Sequence, residues 1–360
     1  MLTRGVVLLS VGSLVVLIGC GAFFRLRERR PPLLLPGQEA PSVTPPAAPR
    51  FGVNSVAGGS FDLSSTGASW YLNWSPTPTP DTPLELVPMV CAYTDHKPVT
   101  PAYLAALEEQ IRARPSAYPD GTLWLIGNEI GYRPQHDSRT PERYAADFHE
   151  CRSMLLRINP TFRIAVGPVI LSDSSTIIRD YVGGAGGLGY LAGVAAAYRK
   201  AYGADIPADA FTATGHVLEG NGVNLAIFEA QVVRFRTFLA NNGFRQREAI
   251  ITEFGVAYGD PTFEEIAHFL AKSTAFLDGA RMPDIGCPKD DDRLIQRWAW
   301  FTAHPLGMVE KLRRLGFGAL SLDLAQTSLF NANGALNYLG RTYQDSVRSS
   351  TATVTTPASR

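Results

Sequence analysis

Short apolar runs alternate with amphipathic segments from Phe51 to Tyr343, and this alternation constrains the fold more than any other feature of the sequence. The apolar runs are continuous rather than interleaved with polar residues, which is typical of parallel strands buried on both faces. Repeated strand–helix units predict an α/β fold built on a parallel sheet. Seven or eight units in about 290 residues suit a (β/α)8 TIM barrel, which commonly has about 250 residues plus insertions.

The seven clearest apolar runs are the predicted strands. They span residues 51–54, 70–74, 86–90, 123–127, 162–166, 211–216 and 249–252. Two further runs, at residues 294–301 and 319–324, compete for the eighth position because they are equally apolar. The pattern therefore places seven strands and leaves the eighth between two segments.

Helix signals lie between these strands. A capping residue followed by proline predicts helix starts after Thr100, Thr140 and Asp260. The capping side chain accepts a hydrogen bond from a free backbone N–H, and proline at the first helical position loses no hydrogen bond. Apolar residues keep helical spacing from Thr140 to Ile158, and the Asn-Asn-Gly sequence at 241–243 predicts the end of another helix.

An open, doubly wound sheet is the alternative arrangement of the same elements. Such a sheet is expected to carry a glycine-rich phosphate loop directly after its first strand. Gly58 and Gly59 lie nearest to that position and match the GxGxxG pattern poorly. The glycine run at 183–187 lies too far beyond the fifth strand and is interpreted as a loop. The barrel is therefore the preferred fold class.

The first 24 residues are predicted to hold the chain at a membrane. Gly5 to Phe24 is a nearly uninterrupted apolar stretch, long enough to span a bilayer. It contains a Leu-Ile-Gly-Cys sequence ending at Cys20, which resembles a bacterial lipoprotein box in which the cysteine is lipidated. An uncleaved anchor helix is the equal alternative. The four arginines between 25 and 30 favour a cytoplasmic location for the C-terminal flank of the apolar stretch. The proline-rich segment that follows them favours export instead.

Residues 25–49 and 345–360 are predicted to lie outside the folded domain. The first segment is rich in proline and predicts an extended linker that tethers the domain at the cell surface. The second is rich in serine and threonine and predicts a disordered tail. The barrel is therefore expected at residues 50–344, exported and held on the extracytoplasmic side of a membrane.

Composition excludes several partners. Lys+Arg and Asp+Glu both total 33, so the chain lacks the basic excess that is typical of nucleic-acid binders. The six histidines form no paired metal motif, and the cysteines form no CxxC pair, so neither a metal nor a cofactor is expected. Outside the apolar stretch, Cys91, Cys151 and Cys287 allow at most one disulfide, whose pairing stays open. The sequence does not indicate an oligomeric state.

Two predicted strands end on a glutamate, Glu129 after the fourth and Glu253 after the seventh. In (β/α)8 barrels the catalytic residues stand where strands end, and strands four and seven lie across the barrel mouth. A loop glutamate that caps a helix or pairs with an arginine is the alternative for either residue alone. Two together favour glycoside hydrolysis, which needs two carboxyl groups beside one bond, about 5–5.5 Å apart in retaining enzymes.

The two strand ends read Asn128-Glu129 and Thr252-Glu253-Phe254-Gly255, and together they resemble those of clan A glycoside hydrolases. These are retaining (β/α)8 enzymes, and the resemblance implies that Glu129 is the acid/base and Glu253 the nucleophile. More narrowly, the chain resembles bacterial members of the "glycosyl hydrolase catalytic core" group, which includes β-1,3-glucanases. Segments 71–75, 87–89, 297–301, 328–330 and 334–340 carry this narrower resemblance. It covers about Phe51 to Tyr343 and favours 294–301 as the eighth strand.

Seven further residues are predicted to bind the substrate. The resemblance implies that Asn128 binds the sugar hydroxyl beside the anomeric carbon. Trp300 is expected to form an apolar floor under the sugar, with a place in the barrel core as the alternative, and His216 is expected to reach the nucleophile or the substrate. The remaining candidates, which stand at strand ends or just beyond a glutamate, are Asn73, Trp74, Tyr132 and Tyr258.

Three departures from the family pattern predict a cleft of altered shape. Glu129 is followed by Ile-Gly-Tyr instead of the usual proline, and residues 214–216 keep a histidine but lack the usual tyrosine. Residues 302–326 resemble an insertion. Both glutamates remain, so the chemistry is expected to be the same.

The predicted function is hydrolysis of O-glycosidic bonds, with a β-linked polysaccharide or oligosaccharide as substrate. A non-catalytic carbohydrate-binding barrel on the cell surface is the first alternative, although such a protein could have lost either glutamate. A metal-dependent hydrolase is disfavoured because it needs His/Asp clusters at strand ends. A purely structural lipoprotein stays open, because a barrel fold by itself implies no activity.

Overall fold

Nine parallel strands carry the fold in the computed structural model, which describes residues 50–55, 61–218, 222–256, 259–304 and 324–355. In chain order they are β1 (Phe51–Asn54), β2 (Trp70–Leu72), β3 (Glu85–Leu86), β4 (Met89–Val90), β5 (Leu123–Ile126), β6 (Arg163–Ile170), β7 (Ala210–Thr214), β8 (Glu248–Phe254) and β9 (Arg297–Trp300). Their order in the sheet is β3-β2-β1-β9-β8-β7-β6-β5-β4, with parallel pairing throughout.

The two ends of the sheet are the two halves of the predicted third strand. β3 pairs with β2, β4 pairs with β5, and only Val87 and Pro88 separate the halves. The Val87 N–H donates to Tyr71 O at 2.9 Å on one side, and Pro88 O accepts from Leu125 N at 2.9 Å on the other. Proline has no N–H for a ladder, which interrupts the strand at this point. One broken strand therefore closes the sheet into the predicted (β/α)8 barrel.

The eighth barrel position is occupied by β9, as the sequence predicted for residues 294–301. Trp298 is the register partner of Phe51 in β1 and of Ile251 in β8, so β9 lies between the first and seventh barrel strands. The competing run at 319–324 lies outside the described residues except for Leu324, which begins a short 3-10 turn. The choice of strand eight is therefore confirmed.

Seven helices are described around the sheet. They are α1 (Pro101–Arg112), α2 (Pro141–Ile158), α3 (Ser175–Asp180), α4 (Gly186–Tyr202), α5 (Leu225–Asn241), α6 (Phe263–Gly279) and α7 (Tyr338–Thr355). Thr100 and Thr140 cap α1 and α2 as predicted. The predicted start after Asp260 is wrong, because Thr262 caps α6 through a reciprocal capping box with Glu265.

The glycine run at 183–187 is only partly the predicted loop, since α4 begins at Gly186. A side-chain carbon at Gly187 would lie 2.3 Å from the carbonyl oxygen of Ile170 at the end of β6. Glycine at this position therefore lets the first turn of α4 pack directly on the strand end, which composition alone does not reveal.

Alternating strand residues divide the core into two layers. Leu123 and Leu125 of β5 point into the barrel interior, whereas Trp124 and Ile126 point outward against the helices. In β9 the interior residue is Ala299, and Trp298 and Trp300 lie in the outer layer. This period of two decides which side chains at the strand ends reach the barrel mouth.

The C-terminal helix corrects the prediction of a disordered tail from residue 345. Helix α7 continues to Thr355. Its buried Tyr343 donates a hydrogen bond from its hydroxyl to Gly52 O at 2.8 Å, and Gln344 Nε2 donates to Ser65 O at 2.7 Å. These contacts bind the helix to the first strand and the loop after it, and they outweigh the weak helix preference of serine and threonine.

The predicted membrane segment at 1–24 and linker at 25–49 lie outside the described residues, as do residues 356–360. Within the described part of the chain, no helix combines the length and apolar character needed to cross a bilayer.

Candidate active site

The two predicted catalytic glutamates meet at the mouth of the barrel beside β7. Glu129 follows β5, and Glu253 lies one residue before the end of β8; both side chains are buried. Thr214, the last residue of β7, is the register partner of Glu253 and donates its hydroxyl to Glu129 Oε1 at 3.3 Å. One threonine therefore neighbours both carboxyl groups, which places the ends of the fourth and seventh barrel strands at a shared site.

The turn that presents Glu129 is conformationally strained. Glu129 has φ 39°, a left-handed value that side chains rarely adopt, and Gly127 has φ 97°. A side-chain carbon at Gly127 would lie 2.4 Å from Ile130 Cγ2 and 3.0 Å from Arg139 Nη2. The turn is held by the Ile130 N–H, which donates to Pro168 O at 2.9 Å. Such strain is concentrated at functional sites, where the surrounding structure imposes it.

Burial gives Glu129 the character of a proton donor. Removal from water raises the pKa of Glu129 to about 8, and the negative charge of Glu253 adds to this effect. The hydrogen bond that Thr214 donates to Glu129 lowers this pKa, but it offsets the increase only in part. Glu129 Oε2 is buried and has no hydrogen-bond partner among the described residues. Glu129 is therefore mainly protonated at neutral pH, as a general acid must be.

Glu253 has a different environment. The indole Nε1–H of Trp74 donates to Glu253 Oε1 at 2.7 Å. His216 Nε2 lies 3.6 Å from Glu253 Oε2, and His216 Nδ1 lies 3.2 Å from the carbonyl oxygen of Gly255. The Trp74 hydrogen bond, at 2.7 Å, orients the Glu253 carboxylate and stabilises its charge. The structure thus brings the predicted residues Trp74 and His216 to the predicted nucleophile.

Phe301, and not Trp300, provides the aromatic surface at this end of β9. Trp300 is fully buried in the outer layer, where its Nε1–H donates to Thr327 O at 2.9 Å. Phe301 lies in the interior layer, with its ring centroid 6.0 Å from that of Trp74 and 5.0 Å from that of His216. The prediction of Trp300 as the floor of the cleft is therefore wrong by one residue, because neighbouring strand residues face opposite sides.

Two predicted asparagines differ in what their side chains do. Asn128 is buried beside the acid, and its Oδ1 has no hydrogen-bond partner among the described residues, which leaves it able to accept from a ligand. Asn73 instead donates to Thr77 O at 2.8 Å and accepts from Ser75 N at 3.2 Å. Asn73 therefore organises the loop after β2, and its prediction as a cleft residue is corrected.

The predicted tyrosines are less informative. The ring of Tyr132 is largely buried against Tyr181, with ring centroids 5.3 Å apart, so it packs below the turn of the acid. Tyr258 lies outside the described residues. Within the described residues, no cluster of three or more His, Cys, Asp or Glu side chains is arranged to hold a metal ion.

Tyr93 was missed in the sequence analysis. It follows β4 in the loop at the same end of the barrel, and it lines a cavity together with Trp74. Burial raises the pKa of Tyr93, and the charges of Glu253 and then Glu129 raise it further. The Tyr93 phenol therefore lies close enough to interact electrostatically with both carboxyl groups. Its position three residues beyond the third strand was the available signal, but no neighbouring motif drew attention to it.

No protein-family profile matches the chain, and no curated protein matches it either. Solved structures do match. A GH128 (subgroup I) endo-β-1,3-glucanase from Amycolatopsis mediterranei in complex with laminaritriose has a TM-score of 0.55 and 19% identity, over 83% of this chain and 99% of that one. Its complex with laminarihexaose gives 0.54 and 19%, over 82% and 99%. A glucosidase from Croceicoccus marinus gives 0.57 and 11%, over 84% and 68%.

At these identities the likeness establishes a shared (β/α)8 fold. The site itself defines the chain as a barrel with two buried carboxyl groups at the ends of its fourth and seventh strands.

Proposed function

We propose that the chain is a retaining glycoside hydrolase that cleaves a β-linked glycan, with Glu129 as acid/base and Glu253 as nucleophile. The observation that carries this proposal is the contrast between two adjacent carboxyl groups. Burial raises the pKa of Glu129 to about 8, whereas Glu253 accepts a hydrogen bond from the Trp74 indole. Glycoside hydrolysis needs this division, with one carboxyl group protonated and the other ionised.

In the first step, the Glu253 carboxylate attacks the anomeric carbon and forms a glycosyl ester. The bond to the leaving oxygen breaks, and that oxygen takes the proton of Glu129. Trp74 keeps Glu253 in position through its 2.7 Å hydrogen bond. Asn128, with its buried and unpartnered Oδ1, is placed to accept from a sugar hydroxyl.

In the second step, Glu129 acts as the base. The ester neutralises Glu253, which removes one of the two causes that raise the pKa of Glu129. Glu129, now ionised, takes a proton from water as the water oxygen attacks the anomeric carbon. The ester bond breaks and the Glu253 carboxylate is restored. Both displacements occur at one carbon, so the product keeps the original anomeric configuration.

The fold neighbours support β-1,3-glucan as the first substrate to test. The Amycolatopsis mediterranei barrel is an endo-β-1,3-glucanase, and it was crystallised with laminari-oligosaccharides. We further propose that the chain is exported and held at a membrane by residues 1–24, through lipidated Cys20 or an uncleaved helix. The apolar stretch before Cys20 and the proline-rich segment after it support this location.

The test of the function is hydrolysis by the full chain in detergent on a panel of β-glucans and other polysaccharides. Glu129→Gln and Glu253→Gln are measured beside the wild type. Sugar release by the wild type alone supports the proposal. If all three proteins are inert but one glycan binds, the chain is a carbohydrate-binding barrel. Activity that survives both substitutions means that other carboxyl groups perform the chemistry.

A further inference from the structure

A cavity of about 450 Å³ lies beside the glutamate pair, between the loops after β2 and β4 and one face of α1. Trp74 and Tyr93 line it from the loops after β2 and β4, and Ala106 and Gln110 line it from α1. Trp74 also donates to Glu253 at 2.7 Å, so a single indole belongs both to the cavity and to the catalytic site. A chain-like ligand at the glutamates could therefore extend into this space.

The lining combines aromatic rings with a few polar groups. Tyr103 adds a third ring to those of Trp74 and Tyr93. Gln110 Nε2 donates to Thr77 Oγ1 at 2.8 Å, which fixes an amide group at the wall. Among the described residues that line the cavity there is no carboxylate, and Lys97 brings the one charged side chain.

These features select a class of ligand. Pockets for small ligands typically have volumes on the order of 300–1,000 Å³, with apolar and aromatic walls and a few placed polar groups. A pyranose ring has an apolar face that packs on aromatic rings and a rim of hydroxyls that bond to amide and phenol groups. The absence of a carboxylate from the described lining disfavours a cationic ligand.

We infer that this cavity, here named the α1 cavity, binds a sugar unit of the glycan next to the unit whose bond is cleaved. The inference rests on the proposed function and deepens it, because it makes the enzyme selective for chains long enough to fill the cavity. Tyr93 lines the cavity and lies near enough to Glu253 and Glu129 for their charges to raise its pKa.

Ala106→Trp in the full chain tests the α1 cavity, with Ala105→Trp as the matched control. Both residues are exposed on α1, but only Ala106 lines the cavity. The probes are oligosaccharides, from disaccharide to hexasaccharide, of the glycan that the wild type cleaves. Filling the cavity is expected to raise KM about tenfold for long chains with kcat nearly unchanged, since it removes binding common to ground and transition states. The shortest cleaved substrate and the Ala105→Trp protein are expected to behave as wild type.

Gln110→Ala provides a second variant that removes a polar group instead of adding bulk, and it is expected to raise KM in the same direction. If wild type is active but both cavity variants keep its KM across the whole series, the α1 cavity is not a subsite and the proposed function stands. If wild type cleaves none of the glycans, the proposed function and the subsite fall together.

A second inference rests on two cysteines. Cys91 follows β4, Cys151 lies in the middle of α2, and both are buried with their Sγ atoms 3.4 Å apart. The hydrogen bond between the two thiols lowers the pKa of the Cys91 thiol, burial opposes this change, and the charge of Arg139 lowers the pKa further. A disulfide needs the sulfurs at about 2.0 Å, which side-chain rotation of neighbouring thiols can supply.

We propose that Cys91 and Cys151 form a reversible disulfide that ties the loop carrying Tyr93 to α2. Cys91 lines the α1 cavity, and from there its thiolate attacks a small disulfide such as oxidised glutathione. Cys151 then displaces the mixed disulfide. The two thiols lose two protons and two electrons, and the incoming disulfide is reduced to two thiols. Cys287 is buried elsewhere and takes no part.

Peptide mapping of the wild-type full chain after treatment with oxidised glutathione tests this pairing, with Cys287→Ser as the control. We expect a Cys91–Cys151 crosslink in both proteins, and a higher Tm that is reversed by dithiothreitol, because the crosslink closes a long loop. Complete alkylation of both thiols after unfolding of the oxidised protein would overturn the proposal. A crosslink that involves Cys287 would overturn it equally.

Discussion

Glu129→Gln is expected to stabilise the protein, and increasingly so as the pH rises. The folded state raises the pKa of Glu129 from 4.5 to about 8, chiefly by burial. A carboxyl group with a raised folded pKa contributes most to stability below its unfolded pKa, and this contribution is lost as the pH rises towards the folded pKa. The loss therefore falls between about pH 4.5 and pH 8. Glutamine is neutral and of the same shape, so it does not titrate in this window.

The size of the effect follows from the two pKa values. Because the pKa of Glu129 differs between the folded and unfolded states, its burial lowers the free energy of unfolding by an amount that depends on pH. The loss is about 1 kcal/mol at pH 5, about 3 kcal/mol at pH 7 and about 5 kcal/mol at pH 9. At roughly 2 °C per kcal/mol for a domain of this size, the Tm advantage of Glu129→Gln grows from about 2 °C at pH 5 to about 10 °C at pH 9.

Thermal unfolding followed by circular dichroism across this pH range measures the effect. Glu142→Gln is the matched control, because Glu142 is exposed in the first turn of α2 and hydrogen bonds to its own backbone N–H and to Thr140 lower its pKa. The control is expected to show no gain in Tm at high pH. If Glu129→Gln and wild type lose stability in parallel between pH 5 and pH 9, Glu129 is not held protonated by burial and the assignment of the acid fails.

Three further predictions concern activity. The kcat/KM of wild type is expected to fall above about pH 8, as Glu129 loses its proton. A fall in kcat/KM that begins near the ordinary pKa of a carboxyl group would contradict the raised pKa. Trp74→Phe is expected to lower kcat/KM roughly 10- to 100-fold, because a hydrogen bond to a charged group such as Glu253 is worth about 1.5–3 kcal/mol; unchanged kinetics would show that the indole is dispensable. Phe301→Leu, which removes the ring but keeps most of the apolar volume, is expected to lower kcat/KM several-fold with a Tm loss of only a few degrees. Trp300→Phe is expected to lower Tm by a few degrees and to leave kcat within about twofold; the reverse result would restore Trp300 to the cleft.

Much of the fold could be predicted because it depends on local patterns. The first seven barrel strands followed from continuous apolar runs, and the choice of β9 followed from the family resemblance of residues 297–301. The caps Thr100 and Thr140 followed from residue types that satisfy free backbone groups. The glutamates could be located for a similar reason. A carboxyl group that ends a buried strand is costly unless it has a role, so Glu129 and Glu253 stood out in the sequence.

The parts that could not be predicted depend on register and on distant contacts. Trp300 and Phe301 are adjacent aromatic residues, and only the pairing of β9 with its neighbours determines which one faces the mouth. The prediction of a disordered tail was wrong for residues 345–355, because α7 is anchored by Tyr343 to Gly52, 291 positions away, and its Val347 packs against the core. Tyr93 lies near the carboxyl groups because of the path of the loop after β4, and no motif around it in the sequence indicates this.

In the proposed mechanism Glu253 forms a covalent bond with the sugar while Glu129 moves the proton. An activated 2-deoxy-2-fluoro β-glycoside of the cleaved sugar slows the breakdown of such an intermediate, so peptide mass spectrometry of the inactivated full chain identifies the residue that carries the label. We expect a single labelled peptide, modified at Glu253, with Glu129 unmodified. Labelling of Glu129, or of any carboxyl group other than Glu253, would contradict it.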